Sequence, residues 1–148
     1  MPFFKELRIA PAPFCRAALA IIYVWFGALK LIGESPAREL VAGAVPWLPE
    51  NVTALMLGSW EVAIGIGLLL PLARRHALLN IYLHLAATTL PLLVLPEACF
   101  LKFPYAPTIV GQYIVKNIAL LGAALTAWDG LKHDSIRPER QAPISQAA

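Results

Sequence analysis

The sequence predicts an all-α integral membrane protein, a four-helix bundle. Three observations carry that reading. Four apolar runs are each long enough to cross a hydrocarbon core as a helix, which takes about 20 residues. Charged residues make up only 14% of the 148-residue chain and hydrophobic ones 59%, with a mean hydropathy of +0.66, whereas a soluble domain carries about 25% charge. Finally, the polar residues inside each run recur at helical spacing, the pattern expected when a bundle turns its polar groups away from lipid.

Residues 1–13, with Lys5, Arg8, Pro2, Pro11 and Pro13, form a short basic lead-in to a membrane domain over residues 14–128. The first span covers about residues 14–32. A signal peptide cleaved near Ala42-Gly43-Ala44 is the competing reading of this run. The run is long for such a segment, and it carries Lys30 and the bulky Tyr23, Trp25 and Phe26. In the loop that follows, Ser35-Pro36 reads as an N-cap with proline at the first helical position, opening a short interfacial helix. Pro46-Trp47-Leu48-Pro49 ends that helix and supplies an aromatic anchor at headgroup level. Asn51 is placed to cap the second span, about residues 52–72, which the basic turn Arg74-Arg75-His76 follows. The third span, about residues 77–95, contains Pro91, which removes the backbone bond to Ala87 and predicts a kink. Residues 96–107 form a second long loop with Phe100, Phe103, Pro104, Tyr105 and Pro107. Thr108 caps the fourth span, about residues 109–128, and residues 129–148 read as a mobile tail.

Orientation follows from the basic residues near the helix ends. Lys5, Arg8, Arg16, Arg74, Arg75, Lys132, Arg137 and Arg140 fall on one side, and Arg38 and Lys102 on the other, with Lys30 near the boundary. This bias places both termini in the cytoplasm and the loops 33–50 and 96–107 outside. A net charge of +3, scattered along the chain, reads as topology and gives no basis for nucleic-acid binding. Cys15 and Cys99 fall at opposite ends of such a bundle, which excludes a disulfide between them, and they offer no metal-ligand spacing, so no metal is expected.

Glu61 is the most informative residue. It lies near the middle of the second span, where a carboxylate costs about 2.5–3.5 kcal/mol on insertion scales. Gly58 and Gly65, at i−3 and i+4, share its face and let a neighbouring helix approach closely. The other spans carry matching stripes: Arg16, Tyr23 and Lys30 on the first; Asn80, His84, Thr88 and Pro91 on the third; Gln112 and Lys116, with Tyr113 and Asn117 beside them, on the fourth. At 1.5 Å per residue, Glu61 sits roughly 14 Å and Lys116 roughly 11 Å below their outer helix ends, and Lys30 roughly 3–5 Å. Matching depths favour Glu61–Lys116 as the ion pair, with Lys30 a second partner or a snorkelling charge. One acid and two lysines would leave a positive charge over, suiting a quinone head or a small oxyanion beside Gln112, Asn117 and Tyr113. The structural alternative is a neutral salt bridge that merely holds the bundle together. A single histidine such as His84 is more often a hydrogen-bonded structural group than a ligand.

Phe26-Gly27-Ala28-Leu29-Lys30, Leu57-Gly58-Ser59-Trp60-Glu61 with Gly65, and the stretch Thr-Ile-Val-Gly-Gln-Tyr-Ile-Val-Lys-Asn ending at Asn117 together resemble the DoxX-like superfamily of small bacterial membrane proteins, in its YkgB-like branch. The resemblance covers about residues 14–128. It implies a four-helix bundle in the bacterial inner membrane, and its matching residues are Lys30, Glu61 and Lys116. The superfamily is named for a subunit of a thiosulfate:quinone oxidoreductase, and other members look like partners in oxidative-stress complexes. The function this implies is a quinone-linked membrane subunit with a soluble or membrane redox partner. The alternative is a non-enzymatic scaffold or partner subunit with structural charges. The lipid bilayer is the one partner common to both, and a homo-oligomer fits either. A transporter would need a dimer to form a path, because four spans with no visible inverted repeat do not supply one.

Overall fold

A computed structural model of the chain describes residues 10–136. Four stretches are helical, long and apolar enough to span a membrane: Pro11–Leu31, Glu50–Leu69, Arg74–Val94 and Ile109–Lys132. The architecture is that of a multi-pass helical bundle. The lead-in over residues 1–9 and the end of the tail, residues 137–148, lie outside the described residues.

The first span is α1 (Pro11–Leu31), which opens with proline in its first turn, where a missing N–H costs nothing. A short helix α2 (Arg38–Ala44) leads to α3 (Glu50–Leu69), the second span. Here the capping expectations shift by a few residues. The Ser35 hydroxyl takes the Ala37 N–H at 3.4 Å, a local turn that delays α2 to Arg38. Asn51 lies inside the first turn of α3, and its amide oxygen accepts from the Arg38 guanidinium instead of capping. The third span is α4 (Arg74–Thr89) continued by α5 (Pro91–Val94). Its break falls where Pro91 predicts it, and the Leu90 N–H takes the Ala87 carbonyl at 3.2 Å in place of the bond proline cannot make.

Between the third and fourth spans lie a one-turn helix α6 (Pro96–Cys99) and a small antiparallel hairpin, β1 (Phe100–Lys102) with β2 (Ala106–Pro107). Phe100 pairs with Pro107 and Lys102 with Ala106. The fourth span is two helices, α7 (Ile109–Val115) and α8 (Asn117–Ile136). Thr108 caps α7 as expected, accepting the Gly111 N–H at 3.2 Å, while its own hydroxyl donates to the Ala98 carbonyl at 2.8 Å. Two readings change here. The fourth span is broken at Lys116, and the segment from Asp129 continues as helix to Ile136 where a mobile tail was expected.

The helices run up and down, each against its neighbours in the chain, and the fourth closes on the first. Glycine sets the closest contact. A Cβ at Gly27 would lie 2.7 Å from the Gly58 carbonyl oxygen, and one at Gly65 would lie 2.9 Å from that of Ala20. Backbones of α1 and α3 therefore touch along this seam, the small-residue approach expected between membrane helices. A Cβ at Gly130 on α8 would press on Ala12 at the start of α1, which fixes these two helices as antiparallel. One end of the bundle carries α2 and the hairpin, and we call it the loop end. The other carries the tight α3–α4 turn with Arg74 and Arg75, and we call it the turn end.

The core fills the half nearer the turn end. Leu19 and Ala20 of α1, Ile64 and Leu68 of α3, Leu78 and Ile81 of α4, and Ala124 and Ala127 of α8 are all buried and mutually packed. Leu68, Leu78 and Ile81 have no exposed surface. Large apolar side chains such as Ile21, Trp25, Leu55, Leu83 and Leu125 are more than 45% exposed on the outside of the bundle. In water that would be an aggregation liability; against lipid it costs nothing.

Candidate functional site

The polar residues of the spans meet just above this apolar half. Glu61, near the middle of α3, is 5% exposed. It reaches that position because the glycine seam brings α1 against its own helix face. One carboxylate oxygen, Oε2, accepts from Lys30 Nζ of α1 at 2.7 Å. The other, Oε1, pairs with His84 Nε2 of α4 at 2.9 Å. His84 Nδ1 in turn meets the Tyr23 hydroxyl of α1 at 3.2 Å. Three helices are thus tied by one continuous chain, Tyr23–His84–Glu61–Lys30.

The donors and acceptors assign themselves. A carboxylate only accepts, so His84 carries its proton on Nε2 and donates it to Glu61. Nδ1 is then an acceptor, and the Tyr23 O–H donates to it. The rings reinforce this arrangement. Tyr23 and Trp60 both meet the imidazole edge-on, at centroid distances of 5.2 and 5.3 Å, which is favourable aromatic geometry. The Trp60 indole N–H is used elsewhere, on Asn80 Oδ1 at 3.0 Å, and Asn80 Nδ2 donates to the His76 carbonyl at 2.9 Å.

A cavity of about 140 Å³ adjoins the chain. It is lined by Ile22, Tyr23 and Phe26 of α1, Glu61 of α3, His84, Leu85 and Thr88 of α4, and Asn117 and Leu120 of α8. All four spans therefore contribute. Asn117 Nδ2 donates to Thr88 Oγ1 at 3.1 Å, tying α8 to α4 at this level. The lining mixes polar groups with the apolar Ile22, Phe26, Leu85 and Leu120, as in cavities that take a small amphipathic group.

Of the residues expected to build the site, Lys30, Glu61, His84 and Asn117 come together. The pairing of Glu61 with Lys116 is corrected: the partner is Lys30. Lys116 falls at the break between α7 and α8, is exposed, and lies over the Tyr113 ring at 4.6 Å. Gln112 and Tyr113 are likewise exposed and line neither face of the cavity. Depth along the axis was the wrong criterion. Lys30 starts shallower, but its four-carbon stem carries the ammonium down to the acid. With Lys116 outside, the surplus positive charge also goes. Lys30 and Glu61 neutralise each other, so the site has no net charge to attract an oxyanion.

Tyr23 is the functional candidate that sequence reasoning placed on the right stripe but left out of the site. Its signal was there: it lies seven residues from Lys30, on the same face of α1. His84 is hydrogen-bonded to both Tyr23 and Glu61, contacts that one histidine in a sequence does not reveal until its neighbours are known.

No protein-family model, curated protein or solved structure matches the chain. The likeness to DoxX-like proteins therefore rests on the residues quoted for it.

Proposed function

We propose that this chain is a DoxX-like protein of the bacterial inner membrane with both termini in the cytoplasm, serving as the quinone-linked membrane subunit of a redox or oxidative-stress system. The observation that supports this reading is the electrically neutral, hydrogen-bonding cavity in the middle of an apolar bundle. A quinone head is neutral, accepts hydrogen bonds at its carbonyl oxygens, and partitions from lipid. The cavity's 140 Å³ is below the roughly 300–1,000 Å³ of pockets that enclose whole ligands. It suits a single ring, with the tail lying outside along Phe26 and Leu120.

The roles of the residues follow from their neighbours. Lys30 is already committed to Glu61 and the one Tyr23 O–H to His84 Nδ1, so the donor available to a carbonyl oxygen is the second N–H of the Asn117 amide, whose first goes to Thr88. His84 and Glu61 stand behind Tyr23 to supply or take up protons. Electrons come from a soluble or membrane redox partner. The direct test is the quinone content of protein purified in mild detergent, together with displacement by a short-chain quinone. Asn117→Ala should weaken binding about tenfold, the equivalent of about 1.4 kcal/mol. Wild-type protein with neither bound nor competing quinone contradicts the proposal.

The scaffold reading has its own supporting observation: both oxygens of Glu61 are satisfied within the protein, as in a buried pair that serves structure alone. Glu61→Gln separates the two. A folded variant with lost quinone binding favours the redox subunit, and a variant that loses folding but no activity favours the scaffold.

A further inference from the structure

We propose that the buried Glu61 carboxylate exchanges protons with the loop end of the bundle only, and does so through the Lys30 ammonium. The inference concerns access to the site and does not depend on what occupies the cavity.

Lys30 stands at a partition. On one side its Nζ touches Glu61, which lines the central cavity. On the other, Lys30 lines a separate recess beneath α2, together with Ser35, Ala37, Arg38, Val41 and Ala54. That recess measures about 10 Å³, at the lower limit for a single water. The Lys30–Glu61 pair is therefore the contact between the middle of the bundle and its loop end. Each step from Tyr23 to Lys30 is within hydrogen-bond distance, at 3.2, 2.9 and 2.7 Å.

In the opposite direction the path stops. Below His84 the described core is Leu19, Ile64, Leu68, Leu78 and Ile81, each at most 2% exposed and all apolar, with Cys15 and Tyr82 packed at its edge. The polar residues nearest that side, Trp60 and Asn80, end on the His76 backbone carbonyl. An indole, an amide and a carbonyl do not titrate in the accessible range. The titratable groups facing Glu61 are Lys30 and Tyr23 from α1 and His84 from α4; α8 contributes only the neutral Asn117. Beyond Lys30, Arg38 is paired to Glu50 at 2.6 Å.

The exchange balances without a co-reactant. Lys30 passes a proton from Nζ to Glu61 Oε2, which leaves a neutral amine beside a neutral carboxyl. The amine takes a proton from water in the recess beneath α2 and is again an ammonium. In the reverse direction the ammonium releases a proton to that water and the Glu61 carboxyl returns its own to the amine, which restores the ion pair. His84 keeps its proton on Nε2 throughout and Glu61 Oε1 goes on accepting it.

Dicyclohexylcarbodiimide tests this, because it partitions into lipid and adds only to a protonated carboxyl. Wild-type protein is labelled in sealed right-side-out and inverted membrane vesicles, and the loop end is identified by labelling Trp47→Cys with an impermeant maleimide. Modification of Glu61 is read by peptide mass spectrometry while the pH is changed on one side at a time. The labelling rate should rise by up to about tenfold per pH unit lowered on the loop side, and should ignore the turn side. In Lys30→Met, labelling should be fast and independent of pH on either side, because an unpaired carboxyl in an apolar site stays protonated. Labelling that follows the turn-side pH, or both sides, overturns the proposal. So does wild-type Glu61 that never reacts, or a Lys30→Met protein with the wild-type pH response. The sidedness of the wild type decides the matter by itself if the variant does not fold.

Discussion

Replacing Lys30 with methionine removes the cation from Glu61 while keeping most of the apolar stem. The side chains of the pair are 13% and 7% exposed, so water screens the interaction little. Breaking a buried ion pair by removing one partner costs about 3–5 kcal/mol, because the acid left behind must lose its charge or hold it without a cation. Glu61 keeps its bond to His84, which argues for the lower figure, about 3 kcal/mol. At about 2–4 °C per kcal/mol for a chain of this size, Lys30→Met should melt about 6–12 °C below wild type in detergent. Adding Glu61→Gln replaces the unpaired acid with a neutral amide whose oxygen accepts from His84, so the double variant should recover most of the loss. Lys116→Met is the control. It removes an exposed cation that lies over the Tyr113 ring, and should fall within about 0.5 kcal/mol of wild type. The assay is thermal unfolding of wild type, Lys30→Met, Glu61→Gln, the double variant and Lys116→Met in one detergent. Additive single-variant losses, or a Lys116→Met loss as large as that of Lys30→Met, would refute the pairing.

Other expectations follow from particular contacts. Gly27→Val forces apart two touching backbones and should cost about 1–3 kcal/mol, whereas Gly122→Ala, where an added Cβ meets nothing within 4 Å, should be neutral or gain up to about 1 kcal/mol of helix propensity; melting curves compare them. Thr108→Ala loses both the α7 cap and the tie to the Ala98 carbonyl and should destabilise by about 1–2 kcal/mol. Cys99 is fully buried, and desolvation raises its thiol above the ordinary value. Less of it is thiolate at any given pH, so maleimide should modify Cys99 slowly at pH 8, faster as pH rises, and readily only after denaturation, as peptide mapping would show.

Much of the fold was legible because lipid imposes a simple rule. Runs of apolar residues near spanning length gave four helices, Thr108 and Pro91 acted as their local chemistry dictates, and Gly58 and Gly65 marked the seam beside Glu61. The site was legible to the level of its acid and its stripes, but not its partner. Position along an axis ignores both the reach of a lysine stem and rotation about the helix, and Lys116 faces out of the bundle. Asn51 and Ser35 show the same limit at smaller scale: each found a nearer partner than the helix end it was suited to cap. The hairpin over residues 100–107 had no periodic signal, since strands this short are set by their surroundings.

The account depends most on which cation meets the buried acid. Solid-state NMR on protein in lipid bilayers, with ¹⁵N-lysine and ¹³C-glutamate labels, measures that contact through the dipolar coupling between lysine Nζ and the Glu61 carboxyl carbon. A strong coupling that disappears in Lys30→Met and persists in Lys116→Met is the predicted result. A coupling lost with Lys116 instead, or no coupling at all, would contradict it.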